Sequence, residues 1–576
     1  MKTKLNKYNS SKLSSPLGVR GCLVAILFLF SPFRGLGGLS FAQTQTVGLF
    51  LNDTSKVYKG YTLFAPKQYH TTYLINNEGR VVHQWSNSIY PPGQTVYLLE
   101  NGHLFRSCMT AGSKLSSGGG EGGRIEEYDW DDNLVWYLDF ATDNYMQHHD
   151  FKVLPNGNII MLVIERKTLA DCLAAGFNPA KYQDIATKGY MVPDYVAEVK
   201  PTYPSGGTVV WEWHTWDHLI QDFDATKNNY GTPAQHPELI DCDGDGRLLP
   251  SFWNHMNSID YNPTYDQIAM SVRGNSEVWI IDHSTTTAES ASHAGGKRGK
   301  GGDLLYRWGN PVCYGAGNAS NERYYQQHDV EWIKAGNPGA GDLTCFNNGI
   351  GRTTGTYSTV DEFTPACDTN GNYSMVAGTA VGPTNFNWTY KGDTTYPMYA
   401  EDISGAERLT NGNTIICTGT VGEFREVTSA GQVVWRYVCP VQLTGVMTQG
   451  ATPNADPAHA GEYLNSVFRV YKYPLDYAAF NGKTMTQGDY IELNSNTAVV
   501  NVNKSLFQIY PNPFTTRIIP KNVNGDELYM LANELEQSLW VGKHIEQQDF
   551  SGLTKGLYFL TVNQDNSIQT IKLIKY

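Results

Sequence analysis

Along most of the chain, apolar and polar residues alternate with a period of two or run apolar for a few residues, and each run closes on Gly, Asn or Asp. That pattern predicts short β-strands joined by tight turns. Five of these runs share a Trp near their end: GRVVHQW at Trp85, DNLVWYL around Trp136, GGTVVWEW around Trp211, DLLYRW at Trp308 and GQVVWRY around Trp435. Helical spacing is scarce, and KTLADCLAAGF around Leu169 is its main instance.

A second recurrence lies between the Trp markers. The segments HDFKVLPNGNIIML from His149, HMNSIDYNPTYDQIAM from His255 and HDVEWIKAGNPG from His328 each open on a histidine. In the first two, the seventh residue after the His is an Asn that starts a turn, Asn156 and Asn262. Two further copies keep the turn without the His, QTVYLLENGHLF from Gln94 and SGAERLTNGNTI from Ser404. A histidine needed only for packing has no reason to recur at one register in three repeats, whereas a site on a symmetry axis does. Repeats of a few short strands, interrupted by long loops, predict an all-β chain folded as a β-propeller. In that fold the innermost strand of every blade faces a central channel, so His149, His255 and His328 are expected to converge there.

The ends of the chain carry different grammar. Lys2, Lys4, Lys7, Lys12 and Arg20 precede an apolar run, Gly21 to Phe30, and then Ser40-Phe41-Ala42, which is the pattern of a secretory signal peptide cut after Ala42. The apolar run is too short to span a bilayer comfortably, and no second candidate follows. After FRVYKYPLDY, Phe468 to Tyr477, a polar Asn- and Thr-rich stretch leads into short strands patterned for a small C-terminal β-sandwich. The expected plan is a signal peptide over 1–42, a propeller over 43–490, a linker over 491–504 and a separate unit over 505–576.

Composition narrows the function classes. Charged residues make up 17% and the net charge is −13, which argues against nucleic-acid or anionic-membrane partners. The 36 Tyr, 13 Trp and 57 Gly suit many strands and turns. Eight cysteines follow the signal, and an exported chain can oxidise them, so disulfides are expected. Cys345 with Cys367 is one pairing that would staple a long insertion, but eight thiols permit about 105 connectivities and none is assigned. The absence of a Cys-x-x-Cys pair argues against a zinc ribbon or a thioredoxin-type centre. Asp241, Asp243 and Asp245 alternate before a Gly as in calcium loops, yet Trp253 stands where an EF-hand needs Glu, so a solvated acidic turn is expected, with calcium as the alternative, and no other cofactor is expected. The run GGKRGKGG from Gly295 lacks the ending of a phosphate loop and is expected to be a flexible surface loop.

Two resemblances add to this. The C-terminal unit resembles the type A sorting domain of type IX secretion through Tyr510-Pro511-Asn512-Pro513-Phe514, Gly556-Leu557-Tyr558 and the final Lys572 to Lys575. It implies export by that machinery to the surface or surroundings of a Gram-negative cell. Residues from about Tyr58 to Tyr477 resemble the bacterial arylsulfotransferases, which need no nucleotide donor. The resemblance is carried by GYTLFAP at Gly60, YLINNEGRVVHQW at Tyr73, QHHDFKVLPNGN at Gln147, WNHMNSIDYNP at Trp253, SEVWIIDHS at Ser276, GGDLLYRWGNP at Gly301 and QQHDVEW at Gln326. It implies a six-bladed propeller acting on an aryl sulfate donor and a phenolic acceptor.

Sulfuryl transfer between phenols needs a nucleophile, cations for the sulfate oxygens and a proton source for the leaving phenolate. Neutral imidazole is a competent nucleophile near pH 7. The resemblance assigns the transiently sulfurylated histidine to His328, in QQHD. It aligns His255, Asn257 and Arg273 as His-x-Asn with an Arg sixteen residues on. Arg273 is expected to bind sulfuryl oxygens, His255 and His149 to stabilise charge and exchange the phenolic proton, and Asn257 to orient. His148 is expected to be a bystander, because strand alternation points neighbours to opposite faces. Thr418 and Thr420 stand near where the family places a threonine. The rival reading is a non-catalytic cell-surface propeller that binds glycans or peptides through its loops.

Overall fold

A computed structural model of the protein describes residues 45–110, 115, 118–244, 252–494, 508–521, 527–533, 537–564 and 567–576. The expected signal peptide, 1–42, lies outside the described residues, as does most of the expected linker. No helix among the described residues is long and apolar enough to cross a membrane.

Between Gly48 and Pro474 the described strands form six antiparallel sheets of four or five strands, besides three two-stranded pairs. The first comprises Val467–Pro474, Gly60–Pro66, Thr72–Ile75 and Val81–Trp85, and the second Pro92–Leu98, Leu104–Met109, Gly123–Tyr128 and Leu134–Asp139. The third holds Tyr145–Val153, Ile159–Glu165, Asp194–Pro201 and Gly207–His214, and the fourth Met256–Asn262, Gln267–Val272, Glu277–Asp282 and Tyr306–Trp308. The fifth holds His328–Trp332, Leu343–Asn347, Thr359–Phe363 and Trp388–Tyr390. The sixth holds Gly405–Arg408, Thr414–Thr418, Glu423–Val427 and Val433–Val438, with Gly48–Asn52 on its outer edge. The first strands of successive sheets touch, from the first sheet to the sixth and back to the first. The arrangement is propeller-like. FRVYKYPLDY does not trail behind the repeats: Val467–Pro474 returns to pair with Gly60–Pro66 as the first strand of the first sheet.

The Trp markers explain what binds sheet to sheet. Each outer strand sends an indole N–H to a backbone or side-chain oxygen of the next sheet: Trp85 to Asp129, Trp136 to Gly206, Trp211 to Thr285, Trp308 to Pro383, Trp388 to Ser429 and Trp435 to Asn77, at 2.8–3.1 Å. A Trp here buries its ring between sheets while its one polar atom is satisfied across the seam. Aliphatic layers complete each seam, as where Ile160, Leu162 and Trp213 of the third sheet meet Ile259, Met270 and Trp279 of the fourth.

The first strands are irregular where they start. Gln94, His149, His255, Asp329 and Ser404 all have positive φ; the ladders of the second, third and fifth sheets shift register across Gln94, His149 and Asp329, and that of the fourth shifts between Met256 and Ser258, just after His255. A bulge of this kind breaks the alternation of faces and re-aims side chains. It lets neighbours on one strand reach the same place.

Around Leu169 the expected helix forms over Leu169–Ala174, with Thr168 and Asp171 closing a capping box. The expected disulfides do not form among the described residues: none of the eight cysteines from Cys108 to Cys439 is bonded to another. Cys345 is buried on an inner strand of the fifth sheet, where its Sγ contacts the His328 carbonyl at 3.1 Å, while Cys367 is exposed on an outer loop beside Tyr373. The core and the surface hold these two side chains apart.

Residues 508–576 form a two-stranded sheet, Gln508–Tyr510 with Ile519–Lys521, and a four-stranded sheet of Leu528–Asn533, Ser538–Gly542, Gly556–Gln564 and Ser567–Lys575. They share a core of their own, with Phe514, Leu531, Tyr558, Leu560 and Leu573 buried. Three motifs distant in sequence meet here. Asn512 bonds to Lys572 and Ile574, Phe514 bonds to Ile574 and Tyr576, and the Tyr558 ring packs on Phe514 at 6.0 Å.

Candidate active site

The bulged ends of the first strands bring His149, His255 and His328 together. All three are at least 96% buried. The rings of His149 and His255 meet edge to face with centroids 4.9 Å apart, and Phe468 flanks His149 at 5.9 Å. A side chain at Gly120 would occupy the space of the His149 ring, so that loop position admits only glycine.

The three histidines do not share one register. Asp150, Ser258 and Asp329 each accept the backbone N–H of the next sheet, from Ile259, Val330 and Ala406, at 2.8–3.0 Å. These three are therefore equivalent, which makes His149, Asn257 and His328 equivalent and leaves His255 two residues early. The seven-residue spacing misled because Asn156 lies in the turn beyond the last paired residue, Val153, whereas Asn262 is itself paired with Gln267. His255 reaches the centre through its own positive φ of 48°.

The protonation of His328 follows from its partner. Asn348 donates its amide nitrogen to the carbonyls of Ala400 and Ile403, at 3.0 and 3.1 Å, so the atom 2.7 Å from His328 Nδ1 is its carbonyl oxygen. An oxygen that can only accept obliges Nδ1 to carry the proton. Nε2 is then left with a lone pair. Burial and the neighbouring Arg273 charge hold the His328 pKa well below the usual imidazole value, so the ring is neutral at pH 7.

Arg273, at the end of Gln267–Val272, supplies the cation. Its guanidinium makes no hydrogen bond or ion pair among the described residues, and its buried Nε has no partner. Burial lowers its pKa against the opposing pull of Asp402 and Glu401, but guanidinium stays charged at neutral pH. An unpaired buried donor of this kind costs about 1–3 kcal/mol, which an anionic ligand would recover.

His148 is not a bystander. The bulge turns it to the same side as His149, with the two Nδ1 atoms 2.8 Å apart, and its Nε2 lies 2.9 Å from the buried Asp194 carboxylate. One of the two Nδ1 atoms donates to the other, so each ring fixes its neighbour. Burial, reinforced by His255 and His148, holds the His149 pKa well below 6.5. Asn257 donates to the Gln327 carbonyl at 2.8 Å, directly before His328, and its Oδ1 is buried without a partner. Thr418 is buried with its Oγ1 unpartnered, and Thr420 is buried on the same turn.

Beneath the histidines sits Arg469, from the returning strand. It bonds Asp150 at 2.7 Å and the Asn257 carbonyl at 2.7 Å, and its Nε lies 2.9 Å from Asp329. Burial works against the Asp150 charge, but Arg469, Lys152 and the Ile259 N–H together outweigh it and lower that pKa, while burial raises Asp329. Sequence reasoning missed Arg469, Asn348, His148 and Asp194. The doubled His148-His149 was the one local signal available.

Of the acidic-loop residues, Asp241 Oδ1 accepts the Asp243 N–H at 3.0 Å and Asp243 Oδ1 accepts the Asn178 N–H at 3.0 Å, while Asp245 lies outside the described residues. The Gly295 loop is tied at both ends, Gly301 to Gly295 and Gly302 to Ser292, and Arg298 pairs with Asp282 at 3.0 Å.

A search of curated proteins returns no match. Among solved structures, a protein of unknown function from Bacteroides caccae is similar over 72% of this chain and 98% of its own, at 10% identity and a TM-score of 0.37. A streptogramin B lyase structure is similar over 72% of this chain and 88% of its own, at 10% identity and a TM-score of 0.32. A catalytically inactive virginiamycin B lyase from Staphylococcus aureus is similar over 72% and 89%, at 8% identity and a TM-score of 0.29. Likenesses this distant bear no weight. The family described as Arylsulfotransferase (ASST) matches residues 48–437, from the edge strand of the sixth sheet through His149, His255, Arg273 and His328 to Tyr437, and the chain belongs to that family of sulfuryl-transferring enzymes.

Proposed function

We propose that the protein transfers a sulfuryl group from an aryl sulfate to a phenol through a sulfohistidine at His328, without a nucleotide donor. His328 Nε2 attacks sulfur, the N–S bond forms, and the S–O bond to the aryl group breaks. Arg273 and His255 hold the sulfuryl oxygens as charge develops. The departing phenolate takes a proton from solvent. His149 Nε2, backed by His148 and Asp194, then takes the proton of the acceptor phenol, whose oxygen displaces His328 from sulfur, and gives that proton up to solvent, so the cycle closes. Asn257 orients the segment before His328. The observation that carries this reading is the Asn348 contact, which leaves a lone pair on His328 Nε2 in a buried centre holding an unpaired guanidinium.

We read the six sheets as the blades of one propeller, and residues 508–576 as a small sandwich that serves type IX export after removal of the signal peptide. The meeting of the YPNPF, GLY and terminal motifs in one core supports the second reading. On it, the enzyme works outside a Gram-negative cell, released or surface-attached.

The test uses purified protein, a chromogenic aryl sulfate and a phenol acceptor. Phenol release is expected, with a sulfuryl mass increment on the His328 peptide when acceptor is withheld. Release unchanged in His328→Asn would overturn the mechanism, and no release by the native protein would favour the binding reading.

A further inference from the structure

Away from the active site, His218, His293 and Asp303 bring their ligand atoms within 4.8 Å of one another. His218 ends the turn Thr215–His218 after the outer strand of the third sheet, and His293 and Asp303 bracket the Gly295 loop before the outer strand of the fourth. Both imidazoles direct Nδ1 at the same atom, Asp303 Oδ1, from 2.9 Å for His218 and 2.7 Å for His293.

His218 is fixed by a built collar. It is fully buried, its ring stacks on Trp213 at 5.7 Å, and Nε2 lies 2.8 Å from the Ser290 carbonyl. That carbonyl can only accept, so the Nε2 proton is committed to it and Nδ1 is the atom left for a ligand. A side chain at Gly302 would strike both Ser290 O and His218 Nε2, and Trp213 donates to the Gly302 carbonyl at 2.6 Å, so the collar admits one arrangement. A histidine whose second nitrogen donates to a backbone carbonyl while the first faces a carboxylate and another imidazole is the usual outer bonding of a metal ligand.

We infer that His218 Nδ1, His293 Nδ1 and Asp303 together bind a divalent zinc ion that clamps the Gly295 loop to the third sheet. Two imidazoles and a carboxylate match zinc in both ligand type and number, with a fourth position left for water. Zinc at about 2.0–2.1 Å from each ligand sets ligand–ligand edges of about 3.3 Å, a few tenths longer than the two Nδ1–Oδ1 separations here. His218 brings rigidity and His293 access: the His293 side chain is 62% exposed and borders a cavity of about 360 Å³ that also touches Trp216 and His236, which provides an entry path. A clamp at this position ties the long connection between the third and outer strands of the fourth sheet.

The test titrates chelator-treated full-length protein with zinc by calorimetry, and with cobalt by its visible absorption. One equivalent is expected to bind, with a raised melting temperature. His293→Ala, an exposed change that leaves the collar intact, and Asp303→Asn are each expected to weaken binding more than about tenfold while aryl sulfate turnover persists. Failure of the native protein to bind zinc, or undiminished binding by both variants, would overturn the inference. In the first case His218 and His293 are hydrogen-bond partners of Asp303 and nothing more.

Discussion

The same side chain is held in opposite states in two parts of this protein. At the centre, His149 and His328 are buried against other imidazoles, an amide and two guanidinium groups, and their pKa values are driven well below 6.5. Toward the rim of the third sheet, His283 lies between Asp266 and Glu198 at 2.8 and 2.9 Å, and His214 lies 3.0 Å from Glu165. Burial pulls those two down as well, yet the carboxylates outweigh it and raise both to about 9. Depth of burial alone therefore does not decide the charge of a histidine here. His149 and His328 have no carboxylate partner among the described residues and stay neutral, while the outer rings are charged struts between strands.

Removing His328, the proposed nucleophile, tests the contrast most severely. His328→Asn is expected to lower turnover of an aryl sulfate by at least about 10³-fold, read as phenol release, while His283→Gln leaves kcat nearly unchanged. Arg273→Gln removes the unpaired cation. A loss on the order of 10²–10³ in kcat/KM is expected, with the acid limb of the pH–rate profile moving part of the way up toward 6.5, because burial, the main cause of the His328 depression, stays while the Arg273 charge that adds to it is gone. Asn348→Asp converts the centre into the outer type by placing a carboxylate at His328 Nδ1. The His328 pKa should rise, so activity at pH 7 falls about tenfold and recovers as pH increases; a uniform loss at every pH would count against tautomer control.

The smallest effect is on stability. His149 and His328 have folded pKa values below the unfolded value of about 6.5, so between those limits the unfolded chain binds more protons. Their contribution is present above about pH 6.5 and is lost as pH falls, by at most about 1.4 kcal/mol per group per pH unit. His214 and His283 act with the reverse sign: their contribution is complete below about 6.5 and is lost as pH rises toward 9. Urea unfolding across this range should give a flatter acid side for the doubly substituted His149→Asn, His328→Asn protein and a flatter alkaline side for His283→Gln.

How much of this was legible beforehand depends on how local the cause is. Trp85, Trp136, Trp211, Trp308 and Trp435 marked outer strands because one strand's own alternation and turn residues declare it. Trp388, which closes the seam between the fifth and sixth sheets, sits in a three-residue strand too short to show a period. The convergence of His149, His255 and His328 was legible through repetition, but their registers were not, since a bulge costs one residue and leaves no mark on an apolar pattern. The same bulge turned His148 inward, against the alternation rule. Arg469 lay in a segment that follows the last repeat in sequence yet belongs to the first sheet, and no local signal connects Val467–Pro474 with Gly60–Pro66.

By itself the sequence determined the strands, the turns and the arylsulfotransferase family, because each depends on neighbours within a few positions or on motifs carried intact. Only the tertiary structure decided which nitrogen of His328 bears the proton, which histidines are neutral and which charged, and that Arg469 underlies the centre. Those properties are set by groups tens to hundreds of residues away in the chain, and electrostatics acts through space without regard to the order in which the residues were joined.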